Sequence, residues 1–159
     1  MAGAAHTYSP FVFADTLIRT GLNLAALDLE LVLGVTPRGS YCRDRLDASR
    51  LLDLYSLLGV PLRVTLGYPS ASGVDADADP EMRVDAGRWR EGFNAAAQAE
   101  WAATFGALAV AKPYVQGVTW CHLGDAEPHQ FPHAGLVDAQ SNAKPALERL
   151  RELREQHLL

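Results

Sequence analysis

The sequence predicts an α/β fold with parallel strands, part of a (β/α)8 barrel, and three observations carry that expectation. Helix-spaced and strand-spaced apolar patterns alternate along the chain, the order expected when parallel strands are joined by right-handed helical crossovers. The alternation yields three strands, and so small a parallel sheet leaves unpaired N–H and C=O groups on both edges, which barrel closure would remove. The chain has 159 residues, enough for one unit with a sizeable core, whereas a complete barrel takes about 250 residues and at least about 200. Residues 1–159 are therefore expected to form a single partial barrel from a longer protein.

Ser9 precedes Pro10 at a first helical position, and Phe11, Ala14, Ile18 and Leu22 follow at helical spacing up to Gly21, which predicts a helix over 10–20. From Ala26 to Gly34 apolar Leu27, Leu29, Leu31 and Leu33 alternate with Asp28, Glu30 and Val32, the period of a strand. A turn-rich loop (36–40) leads to a second helix, with Asp47 as its expected cap, Leu51, Leu54, Tyr55 and Leu58 on one face and Gly59 as its stop. Pro61 opens a strand over 62–68. The segment 69–90, rich in Gly, Pro and Asp (Asp75, Asp77, Asp79), reads as a long loop, and such a loop in a compact domain is usually functional or disordered. An alanine-rich helix follows over 95–112 with Ala97, Trp101, Phe105 and Leu108 as its stripe, ended by Pro113. A third strand spans 116–123, and a last helix starts at Pro145 with Leu147, Leu150 and Leu153 on its apolar side.

Composition excludes several function classes. The net charge is −5 with a pI near 5.4, and the basic residues are scattered, so the footprint of a nucleic-acid binder is missing. No apolar run approaches the roughly 18–20 residues of a membrane helix, and Met1–His6 carries no signal-peptide pattern. Cys42 and Cys121 lack metal-site spacing and read as two small half-buried residues. Nothing in the sequence calls for a cofactor.

The last quarter is the most specific stretch. Val118-Thr119-Trp120-Cys121-His122-Leu123-Gly124-Asp125 is followed by Gly135-Leu136-Val137-Asp138 and by Lys144-Pro145-Ala146. This succession resembles the last strand-loop-helix unit of the family-ten glycoside hydrolases, the xylanase family, with its "VT-W-G-L-x-D", "GL-x-D" and "KPA". The resemblance extends upstream, where 27–34 is similar to the family's strand six and Leu58-Gly59-Val60-Pro61 to the approach to strand seven, so it implies strands six to eight of the barrel. It implies hydrolysis of O-glycosidic bonds in β-linked, xylan-type polysaccharide, a saccharide as partner and a secreted protein. It also implies that the family's acid/base Glu lies upstream of this chain and that its nucleophile position falls at Leu66, because Val64-Thr65-Leu66-Gly67 matches "I-T-E-L". The family's strand-six Gln and His correspond to Glu30 and Val32, and its late Trp to His129.

Leucine cannot act as a nucleophile, and retaining chemistry needs two carboxyl groups about 5–5.5 Å apart. Glu30 is the candidate substitute, since an acidic residue on a core strand is costly unless paired or functional. The alternative reading pairs Glu30 or Asp28 with Arg63 on the neighbouring strand. His122, Asp125, Glu127, His129 and His133 crowd one segment broken by Pro128 and Pro132. Their spacing matches no standard metal motif, so they read as a polar, substrate-facing loop at the barrel mouth, where barrel enzymes place their sites. Tyr68 and Trp120 are candidate stacking platforms for sugar rings, although an isolated Trp more often packs in a core. Trp89 is a further candidate, and Trp101 belongs to the core. Two other functions remain open: a non-catalytic carbohydrate-binding barrel, and a small α/β domain that associates with itself to cover its edges.

Overall fold

The computed structural model describes residues 9–157; the reading of Met1–His6 lies outside them. The elements run α1 (Pro10–Arg19), β1 (Leu27–Val32), α2 (Arg45–Ser56), β2 (Leu62–Gly67), α3 (Ala95–Val110), β3 (Val115–Trp120) and α4 (Pro145–His157). Each expected element is present, with strands shorter than their apolar runs. The cap of α2 is corrected: Asp44 is the N-cap, its side chain accepting from the Asp47 N–H at 2.8 Å. Both residues fit a cap by type, and the chain turns at the earlier one. The buried face of α2 is also shifted, to Ala48 and Leu52, with Leu54 exposed.

The sheet is parallel with order β1-β2-β3. Because sequential strands are laid down in one direction and parallel crossovers are right-handed, the helices fall on one face. That is the winding of a barrel wall. The face carries Leu31, Val64 and Leu66, which pack with Ala48 and Leu52 of α2 and with Ala97, Trp101, Phe105 and Ala109 of α3. Trp101 stacks on Phe105 with ring centroids 4.6 Å apart and on Tyr68 at 5.4 Å. Fully burying one such apolar side chain contributes about 1.5–3 kcal/mol, so this cluster is the main source of stability. The small residues Ala99 and Ala102 of α3 let α4 approach through Ala146 and Leu150.

The opposite face is polar and open. In register it presents Asp28, Arg63 and Gly117, then Glu30, Thr65 and Thr119. Thr65 Oγ1 donates to Asp28 Oδ1 at 2.9 Å and lies 3.0 Å from Thr119 Oγ1. The expected ion pair between Arg63 and Asp28 or Glu30 is absent among the described residues: Arg63 is exposed, and Thr65 takes the Asp28 carboxylate. Replacing Arg63 with Met is accordingly expected to change the stability of the chain by less than about 0.5 kcal/mol, the usual range for surface substitutions. Chemical denaturation checks this, and a loss of several kcal/mol would mean that Arg63 neutralises a buried carboxylate. No described helix is long and apolar enough to cross a membrane.

Candidate functional site

The loops that follow the three strands, 33–44, 68–94 and 121–144, all rise from the C-terminal end of the sheet. Above the two polar layers of the open face comes a third formed by Val32, Gly67 and Cys121. A side chain at Gly67 would meet Cys121 Sγ at 2.7 Å and Val32 Cγ2 at 3.0 Å, so glycine is what lets the strands close ranks there. Val32 is fully buried under Val35, Met82, Phe131 and Ala134, with Val84 and Cys121 packed alongside. The strand ends are thus sealed by an apolar plug drawn from the long loop and the post-β3 loop. Burial pushes the Cys121 thiol up to about 12, and Cys42 up to about 11, so neither is primed as a nucleophile.

Glu30 lies one layer below the plug. Burial, and then the nearby Asp28 charge, push its carboxyl above the ordinary range. A folded-state pKa above the unfolded one means that folding favours the protonated acid, so the stability it contributes is lost as pH rises through the raised pKa. Replacing Glu30 with Gln is therefore expected to stabilise the chain at pH 7, the gain shrinking towards zero below about pH 4. Urea midpoints at the two pH values read this out, and a Gln variant less stable than wild type at neutral pH would contradict it.

Around the plug the polar side chains assemble into two carboxylate-centred networks. Asp125 Oδ1 accepts from the Gly135 N–H at 2.7 Å and lies 3.2 Å from His122 Nε2, while Oδ2 accepts from Lys144 Nζ. Lys144, itself buried, also donates to Ser70 Oγ at 2.9 Å and to the His133 carbonyl at 3.1 Å. Burial alone would raise the Asp125 carboxyl, but hydrogen bonds from His122 and Lys144, the Lys144 charge and the Gly135 N–H outweigh it and hold the group well below the usual carboxylate range. Gly135 must be glycine here, because a Cβ would overlap Asp125 Oδ1. In the second network Asp75 Oδ2 accepts from the His133 N–H at 2.8 Å and faces His129 Nε2 at 3.1 Å. Burial is again the largest influence on Asp75 and is outweighed by these partners, so its carboxyl too is lowered. The His122 and His129 rings stack at 4.7 Å and join the two networks.

The expected site residues are therefore distributed unevenly. His122, Asp125 and His129 do come together, but their side chains are only 16, 7 and 3% exposed and face one another rather than an open cleft. Glu127 is exposed, with its carbonyl receiving His129 Nδ1 at 2.8 Å. Tyr68 as a sugar platform is corrected: it is fully buried between Phe93 and Trp101, and its hydroxyl donates to the Gly92 carbonyl and accepts from the Trp89 N–H, both at 3.0 Å. Trp120 is half-buried, edge-on to Trp101 at 6.0 Å, its indole N–H donating to the Ala134 carbonyl at 2.7 Å. Trp89 is half-buried, with the Arg90 guanidinium 4.4 Å over its ring. Leu66 points into the helix-side core, and Gly67 is the inward position at the end of β2. Whichever of the two matches the family's nucleophile, the stretch 62–70 contains no carboxylate.

Sequence reasoning passed over Asp75, Lys144 and Ser70 as partners in these networks. The Asp75 and His133 pairing spans 58 positions and leaves no local signal. It also passed over Tyr41, which stands 71% exposed in the loop after β1.

No family model matches the chain, and no curated protein sequence matches it. Solved structures do. The chain is similar to native xylanase 10B from Thermotoga maritima at a TM-score of 0.61 and 15% identity, over 92% of this chain and 41% of that one. It is similar to xylanase 10B from Thermotoga petrophila RKU-1 at 0.61 and 16%, with the same coverage. A β-glucuronidase from Faecalibacterium prausnitzii matches at 0.56 and 16%, over 86% of this chain and 22% of that one. The chain thus spans about two-fifths of the xylanase length, and its three parallel strands with their one-sided helices form part of a (β/α)8 barrel fold.

Proposed function

We propose that this chain is part of a glycoside hydrolase-like barrel that holds a β-linked, xylan-type saccharide at its mouth, and that this part contributes no nucleophile to bond cleavage. One observation carries the reading. The ends of the strands, where barrel enzymes place their chemistry, bear Val32, Gly67 and Cys121 beneath Met82 and Phe131, with Glu30 one layer below. Retaining cleavage needs a carboxylate pair flanking the scissile bond. Glu30 stands exposed on the open polar face one layer below the strand ends, and Asp125 is engaged by Lys144 and Gly135.

The substrate class rests on the likeness to the Thermotoga xylanase folds, one of them solved in complex with xylobiose. Tyr41 and Glu127, both exposed on the loops at that end, supply what sugar recognition uses, an aromatic face and a carboxylate acceptor. Further strands, or a second copy of the chain, would cover the open edges of β1 and β3 and the polar face between them.

Calorimetric titration of the complete protein with xylo-oligosaccharides tests the reading. Tyr41→Ala is expected to weaken binding roughly 2- to 13-fold, the scale of one aromatic contact of about 0.5–1.5 kcal/mol. Binding that is absent in wild type, or indifferent to both Tyr41→Ala and Glu127→Gln, would overturn it.

A further inference from the structure

The fold gathers what the sequence spacing separates. A ring nitrogen of His122, a carboxylate oxygen of Asp125 and a ring nitrogen of His129 all lie within 4.8 Å of one another, on side chains that are mostly buried. Two imidazoles and one carboxylate are a donor set that suits zinc and its neighbours in the transition series rather than magnesium or calcium.

The tautomer of His129 supplies an independent argument. Its Nδ1 is 2.8 Å from the Glu127 carbonyl, which can only accept, so Nδ1 carries a hydrogen. Nε2, the other ring nitrogen, faces the Asp75 carboxylate at 3.1 Å. A histidine that donates Nδ1–H to a backbone carbonyl has the outer-shell arrangement of a metal ligand.

Charge points the same way. Two carboxylates, Asp75 and Asp125, stand at the cluster against the one buried ammonium of Lys144, an excess of acidic groups that favours a cation. Lys144 bonds Oδ2 of Asp125, while Oδ1 accepts the Gly135 N–H and is turned towards His122, so the ammonium holds the carboxylate through its other oxygen.

We propose that His122 Nε2, Asp125 Oδ1 and His129 Nε2 bind one divalent zinc-class ion. Full-length chain stripped with EDTA and dialysed is titrated with zinc chloride by calorimetry and with cobalt(II) by visible absorption. The expected results are one equivalent of zinc bound, a raised melting temperature and a cobalt d–d spectrum. His129→Ala and His122→Gln should each weaken zinc binding by roughly 100-fold or more, the loss of a direct ligand exceeding the 10- to 100-fold typical of outer-shell changes, while Glu127→Gln leaves it unchanged. The cobalt spectrum of the wild-type chain reports nitrogen ligation even if a variant fails to fold. No zinc binding at micromolar concentration, binding indifferent to both histidine variants, or nitrogen-15 NMR showing His129 doubly protonated and unmoved by zinc would overturn the proposal.

Discussion

Replacing Lys144 with Met is expected to destabilise the chain by about 3–5 kcal/mol, the range for breaking a buried ion pair by removing one partner. Lys144 is buried and donates to Asp125, Ser70 and the His133 carbonyl, so its loss strands a buried carboxylate and frees two further acceptors. The double variant Lys144→Met, Asp125→Asn should recover part of that loss, because the neutral amide can still accept from the Gly135 N–H without an uncompensated charge. Urea denaturation of the four proteins of the cycle reads the coupling directly. Additive losses would show that the two side chains act independently.

Phe131→Ala is expected to cost about 3–5 kcal/mol, as large-to-small core substitutions of aromatics do. Phe131 is buried against Val32, Val35, Met82 and Ala134, residues from three different loops or strand ends, so the cavity cannot collapse by moving one element. The same substitution should open the plug. Cys121, which packs against this cluster, should then react with an aromatic disulfide reagent markedly faster than in wild type. Unchanged stability with unchanged thiol reactivity would mean that the strand ends are not sealed by this ring.

The fold was legible because its signals are local. The leucine parity of 27–33, the stripe of α3 and the Pro-initiated α4 each report a period that burial imposes on one element. Leu66 shows where that legibility stops: the motif match identifies its position along the strand, but parity within the sheet sends it into the helix-side core and leaves Gly67 facing inwards. Tyr68 misled for a related reason. It sits where a ligand-facing aromatic could stand, and only α3 and residues 89–93 folding over it make it core. The carboxylate networks were half legible. The His and Asp residues after β3 stand close in sequence, whereas their partners Asp75 and Ser70 come from the loop after β2, a juxtaposition set by β2 and β3 lying side by side. The plug left no sequence signal at all, since Met82 and Phe131 lie in stretches whose Pro and Gly content reads as loop.

The most direct test of the account is covalent trapping. A retaining glycosidase forms a glycosyl-enzyme through its nucleophilic carboxylate, and an activated 2-deoxy-2-fluoro-xyloside lets that adduct accumulate. The complete protein is incubated with this reagent and its peptides are mapped by mass spectrometry. The account predicts that no carboxylate within residues 9–157 carries the sugar, Glu30, Asp125 and Glu127 included. A fluoroxylosyl adduct on any of these three would contradict it.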